Sequence, residues 1–79
     1  MTIDDFPEAA RVPARLTLWT LHRKGRTATC EAVAHALGLE LVLSVADDVI
    51  RTEVSKVAQD GEELAAEWRR MFEAKGWTA

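Results

Sequence analysis

Disulfide cross-links within one molecule are impossible in this chain, because Cys30 is its one cysteine. A lone thiol fits a reducing compartment. Long apolar runs are missing too: nothing approaches the 18 or so residues a membrane-spanning helix needs. The opening stretch MTIDDFPEAARVP is acidic and lacks the apolar core of a secretion signal. Together these absences point to a cytoplasmic, unanchored protein without a membrane partner. Aromatic residues make up 6% of the chain, and no platform for stacking RNA bases is evident. Both prolines, Pro7 and Pro13, fall in residues 1–13, which show no sustained periodicity. That segment is expected to be a flexible arm whose Phe6 and Val12 can dock on the domain.

What remains is a single ββββα domain over residues 14–79. The 79-residue length is near the lower limit for an independent core. Below roughly 80 residues a core seldom leaves more than about 3–5 kcal/mol, so small domains add a metal, a disulfide or a partner surface. With no disulfide available, oligomerisation or a partner is the expected supplement. The net charge is −3, unevenly spread. Residues 14–35 carry +3 (Arg15, Arg23, Lys24 and Arg26 against Glu31), and the other segments are acidic.

Alternation carries the fold. Arg15–Arg23 and Arg26–His35 read as strands joined at Lys24-Gly25, where Gly supplies one of the two positive φ angles of a primed turn. That turn sets Trp19 opposite Cys30, Leu21 opposite Ala28 and Thr17 opposite Ala32, large against small on one apolar face. The other face receives Leu16 with Val33 and Leu18 with Glu31. Ala36-Leu37-Gly38 connects to a third strand, Leu39–Val45, whose odd positions are all apolar. A second tight turn at Asp47-Asp48 then sets Leu43 opposite Thr52 and Leu41 opposite Val54. Residues 47–58 also fit a helical stripe, but Val49, Ile50, Thr52 and Val54 are β-branched, which favours strand.

Asp60–Lys75 is a helix by pattern. Asp60 suits an N-cap with Glu63 completing a capping box, and Leu64, Trp68, Met71 and Phe72 form one stripe. Gly76 fits the C′ position, with Trp77 folding back on Phe72. Four strands and a terminal helix give a two-layer α+β domain: an antiparallel meander with one face covered.

Candidate chemistry is sparse. Cys30 points into the core while His22 and His35 point away, about eight residues or roughly 27 Å apart along the sheet. No metal, cofactor or Cys–His catalysis is expected from them. Asp4/Asp5, Asp47/Asp48 and Glu62/Glu63 are neighbours in sequence, not carboxylates meeting across space. The hairpin tip Arg23, Lys24 and Arg26 suits phosphate contacts, but the acidic chain disfavours nucleic acid as a partner. The uncovered face is the informative feature. Leu16, Leu18, Val33 and Val42, with Arg51 at the rim, form the expected patch, a surface for another protein or a second copy of this chain. The reading is a non-enzymatic interaction or regulatory module, with weak nucleic-acid binding at the tip as the alternative.

The runs Leu18-Trp19-Thr20-Leu21, Lys24-Gly25-Arg26, Cys30, His35-Ala36-Leu37-Gly38 and Glu40-Leu41, then Trp68 and Gly76-Trp77, span most of the chain after residue 14. In them the chain resembles a group of short bacterial proteins with no known activity. That resemblance implies strands followed by a helix and no ligand or catalytic residue. Members of the group often carry Pro at the position of Ala36.

A β-branched residue at Gly76 should cost more than an ordinary helix-end change, above about 1 kcal/mol, because L side chains resist the left-handed region. Thermal unfolding of Gly76→Val beside Lys75→Ala measures it.

Overall fold

The computed structural model describes residues 15–79, apart from the side chain of His35. The expected arm, residues 1–13 with Phe6 and Val12, lies outside the described residues. Four strands pair in chain order, β1 (Arg15–Arg23), β2 (Arg26–His35), β3 (Gly38–Val45) and β4 (Asp48–Ser55), followed by α1 (Ala58–Ala74). All three pairings are antiparallel, so the meander with a C-terminal helix is the fold. Residues 48–55 are strand, in keeping with their β-branched content. Among the described residues no helix is long and apolar enough to cross a membrane.

Each hairpin closes on two residues. Lys24 and Gly25 take φ of 49° and 79°, the positive pair a type I′ turn requires. The third turn is displaced from expectation: its positive φ angles fall on Ala46 (53°) and Asp47 (71°), not on Asp47-Asp48. The Ala46 N–H donates to the Thr27 carbonyl at 2.9 Å. That bond extends the β2–β3 ladder past Val45 and holds the turn one residue early.

Two bulges reset the registers. Trp19 faces Cys30 and Leu21 faces Ala28, as the alternation requires. Beyond them Thr17 pairs with Glu31, not Ala32, and Leu16 with Ala32, not Val33, leaving Leu18 unmatched. A bulge sets two residues against one, and here Leu18 turns to the same side as Trp19 and packs on the core. In β4, Ile50 is the extra residue, and Leu43 and Leu41 face Arg51 and Glu53 where Thr52 and Val54 were expected. The early turn moves the pairing by two residues and keeps the faces, so this bulge alone exchanges the two faces of β4 from Arg51 onward.

The core lies between sheet and helix: Trp19, Leu21, Ala28, Cys30, Ala32, Leu41 and Leu43 meet Ala65 and Trp68. The Trp19 indole N–H donates to the Ala65 carbonyl at 2.8 Å, in a buried contact. Helix α1 begins at Ala58 with Val57 as N-cap and no side-chain cap, so Asp60 sits in the first turn and is not the cap. The reason is a short connection. Lys56-Val57 alone link β4 to the helix, and the Val57 carbonyl takes the N–H groups of Asp60 and Gly61 (3.1 and 3.2 Å). Gly61, Ala65 and Trp68 are the buried face, while Met71, expected inside, is 48% exposed. Small residues let the first turns approach the sheet, and a Cβ on Gly61 would lie 3.1 Å from Leu39 Cδ2.

The helix ends as the sequence indicates. Gly76 has φ 97°, Trp77 N–H donates to Phe72 O (3.1 Å) and Gly76 N–H to Glu73 O (3.0 Å), the two bonds of a Schellman motif. Trp77 meets Phe72 edge-on with ring centroids 5.3 Å apart, and Phe72 meets Trp19 at 5.7 Å. Thr78 then forms a bridge with His22 on the outer side of β1.

Gly38 (φ 144°) has no room for a side chain, because a Cβ there would fall on the Ser55 carbonyl oxygen and 2.8 Å from Lys56 Cα. Gly25 has only its backbone angle to defend, with nothing within 4 Å of an added Cβ. Denaturant unfolding should show Gly38→Ala losing more than about 2 kcal/mol and Gly25→Ala about 1 kcal/mol. Burial, with the Glu31 carboxylate beside it, raises the Cys30 thiol from 9.0 to about 11. The unfolded chain therefore releases a proton between pH 9 and 11 that the folded chain keeps. The thiol's contribution to stability is whole below that window and fades as pH rises through it. The pH slope of stability measured across the window should flatten in Cys30→Ala.

Candidate functional site

Alternation from the observed registers builds the face away from the helix, which no other described element covers. It takes Arg15, Thr17, Thr20 and His22 from β1, and Thr27, Thr29, Glu31 and Val33 from β2. β3 adds Glu40, Val42 and Ser44, and β4 adds Val49, Thr52 and Val54. Val33 and Val42, both expected here, are present and buried in the middle strands. Arg15 Nη1 donates to Glu31 Oε1 at 2.8 Å, and His22 Nδ1 lies 3.2 Å from Thr27 Oγ1.

Three residues assigned to this face lie elsewhere. Leu16 sits opposite Ala32 on the helix side, where it is 64% exposed. Leu18 borders a hollow with Trp19, Ala65 and Arg69 beneath the helix. Arg51 carries its guanidinium over the Trp68 ring, 5.0 Å from the centroid. The bulges cause all three displacements, since one extra residue inverts the alternation on one side of it. Glu53 lies on the helix side with Arg51, and the two stand 3.7 Å apart along the strand. Leucines therefore give way to Arg15, Thr17 and Thr52, and the face is a polar, threonine-bearing surface around a valine centre.

Exposed apolar surface gathers instead on β4 and the turn that follows it. Val49 (60%), Ile50 (55%), Val54 (42%) and Val57 (54%) are four of the seven large apolar residues exposed among those described. The sequence carried a signal for this. Val49 and Ile50 are adjacent, so a strand that buries one must present the other. β4 is an outer strand, paired on one side with β3, and no described strand lies beyond it.

At the hairpin tip Arg23, Lys24 and Arg26 are all exposed. Arg23 does not stand clear, since a Cβ on Gly76 would lie 3.2 Å from its Nε. Cys30 is sealed in the core, His22 lies on the far face of the sheet, and the side chain of His35 is outside the described residues. Asp47 belongs to a turn, and Glu62 and Glu63 are exposed on the first turns of α1. Among the described residues no three His, Cys, Asp or Glu side chains gather closely enough to hold a metal ion.

Compared with known proteins, the chain matches no family model, no curated protein and no solved structure.

Proposed function

We propose that this chain is a non-enzymatic protein–protein interaction module whose contact surface is β4, taking in its outer edge and the strip of uncovered face beside it. The supporting observation is the gathering of Val49, Ile50, Val54 and Val57 on one outer strand and the turn after it. Large apolar side chains scattered singly over a surface need no explanation, but four along one outer strand and its exit turn, beside backbone that no described strand pairs, do. An edge strand presents a row of N–H and C=O groups, and natural proteins protect such rows unless a partner strand joins them. Here the backbone row and the apolar side chains occur together. The uncovered face contributes polar contacts, with Thr52, Ser44 and Thr29 flanking Val42.

Apolar residues left on β4 do not stabilise the isolated domain, but they do stabilise a complex that removes them from water, at about 25 cal/mol per Å².

A photo-crosslinking residue introduced at Val54 should form protein adducts in cells of the expression host or the source organism. The same residue at Met71, a helix position of similar exposure, should not. Lack of any protein adduct from position 54, or equal labelling from both, would remove the reading. Ile50→Lys should abolish the adducts while changing stability by less than about 0.5 kcal/mol, as expected of an exposed position.

A further inference from the structure

The two outer strands are not equivalent. On β1 the outer side of His22 is taken: its N–H and C=O both pair with Thr78. The bulge at Leu18 interrupts the same strand near its centre. No such cover lies along β4 among the described residues, and its own bulge, at Ile50, lies toward the start of the strand and leaves Arg51–Ser55 a regular run. Among the described residues one edge of the meander is therefore closed and the other open.

The open edge has a sequence that complements itself. From Asp48 to Ser55 it reads DVIRTEVS, with Arg51 and Glu53 on the helix side of the sheet, opposite Leu43 and Leu41. Consider a two-fold axis through Thr52, perpendicular to the sheet. It sets a second β4 antiparallel to the first, with Arg51 opposite Glu53 of the second copy and Glu53 opposite its Arg51. Ile50, the bulge residue, then falls at the level of Val54 on both sides of the axis. Directly opposed side chains on paired strands stand about 4.5–5.5 Å apart between Cβ atoms, within reach of an ion pair. Sliding the pairing by one step along the alternation brings Arg51 against Arg51, or Glu53 against Glu53. The same two charges thus favour one register and oppose its neighbours.

We infer that β4 pairs antiparallel with β4 of a second copy of this chain about Thr52, joining two four-stranded sheets into one of eight strands held in register by reciprocal Arg51–Glu53 ion pairs. A two-fold axis normal to the sheet keeps both helices on one side, so the two uncovered faces become one continuous surface. Interfaces of this kind are isologous: each partner gives the same patch and receives it. The inference rests on the interaction reading above and names its partner.

Sedimentation of the full chain tests it, using wild type, Arg51→Glu, Glu53→Arg, the double exchange Arg51→Glu/Glu53→Arg, and an equimolar mixture of the two single variants. Wild type should dimerise. Each single variant opposes like charges twice across the axis and should weaken the dimer about tenfold or more. The double exchange should restore it, and the mixture should form a heterodimer that neither variant forms with itself. Arg51→Glu also removes the cation from above Trp68, but recovery on mixing cannot come from that intramolecular loss. Three results would overturn self-pairing: a monomeric wild type, a dimer indifferent to the charge changes, or single variants that fail to rescue each other. A monomeric wild type whose position-54 crosslinks reach a different protein ends self-pairing and leaves the interaction reading standing. A monomer without adducts ends both.

Discussion

Among the described residues, one buried side-chain hydrogen bond joins the sheet to the helix across their shared apolar core. The Trp19 indole N–H reaches the Ala65 carbonyl at 2.8 Å in the buried space between sheet and helix. An indole donor left unpaired there would carry the full cost of desolvation, about 1–3 kcal/mol. Its presence therefore dictates where α1 can lie. The helix must pass close enough for a backbone oxygen to meet a strand side chain, and Gly61 and Ala65 provide that closeness on the helix side. Trp68 fills the space beyond Leu41 and Leu43, while Phe72 and Trp77 continue the aromatic contact from Trp19 to the helix end. From there the Schellman turn directs Thr78 onto β1 and closes that edge. The asymmetry between the two outer strands thus follows from where one indole is anchored.

Much of this was legible in the residues. The boundaries of β1 and β2, the Lys24-Gly25 turn, the pairs Trp19–Cys30 and Leu21–Ala28, and the glycine-terminated helix all follow from local rules of turn chemistry, alternation and capping. Each of those rules acts over a few residues. The bulges were not legible, and they decide the candidate surface. Leu18 reads as an outward residue by alternation, and only its proximity to Ala65 and Ala66 shows why it turns inward. Arg51 was hidden for a different reason. Patterns of hydrophobicity score it as polar, yet an arginine can lay its stem on apolar surface and its planar head on an indole. A cation capping Trp68 takes the place an aliphatic residue was expected to hold, and β4 is inverted from Arg51 onward.

That inversion alters what the molecule offers to its surroundings. With the expected register, the face away from the helix would have been a leucine patch suited to burial against a second sheet. With the observed one it is mostly hydroxyl and charge, and apolar exposure moves to the boundary strand. On the interaction reading proposed above, the approach of a partner changes from face to edge. Contact along an edge uses the backbone for affinity and the side chains for discrimination, which suits a chain with few large residues to spend.

The corner at Gly38 has a further consequence. There the entry to β3 presses against the backbone where β4 leaves the sheet for the helix, with no side chain between them to adjust. Two connections far apart in the chain therefore share one point of steric contact. Length changes in the Ala36-Leu37 turn would be transmitted directly to the start of α1, whereas the Lys24-Gly25 loop projects into open space. Evolution, or an engineer seeking a place to graft a peptide, has latitude at one end of this meander and none at the other.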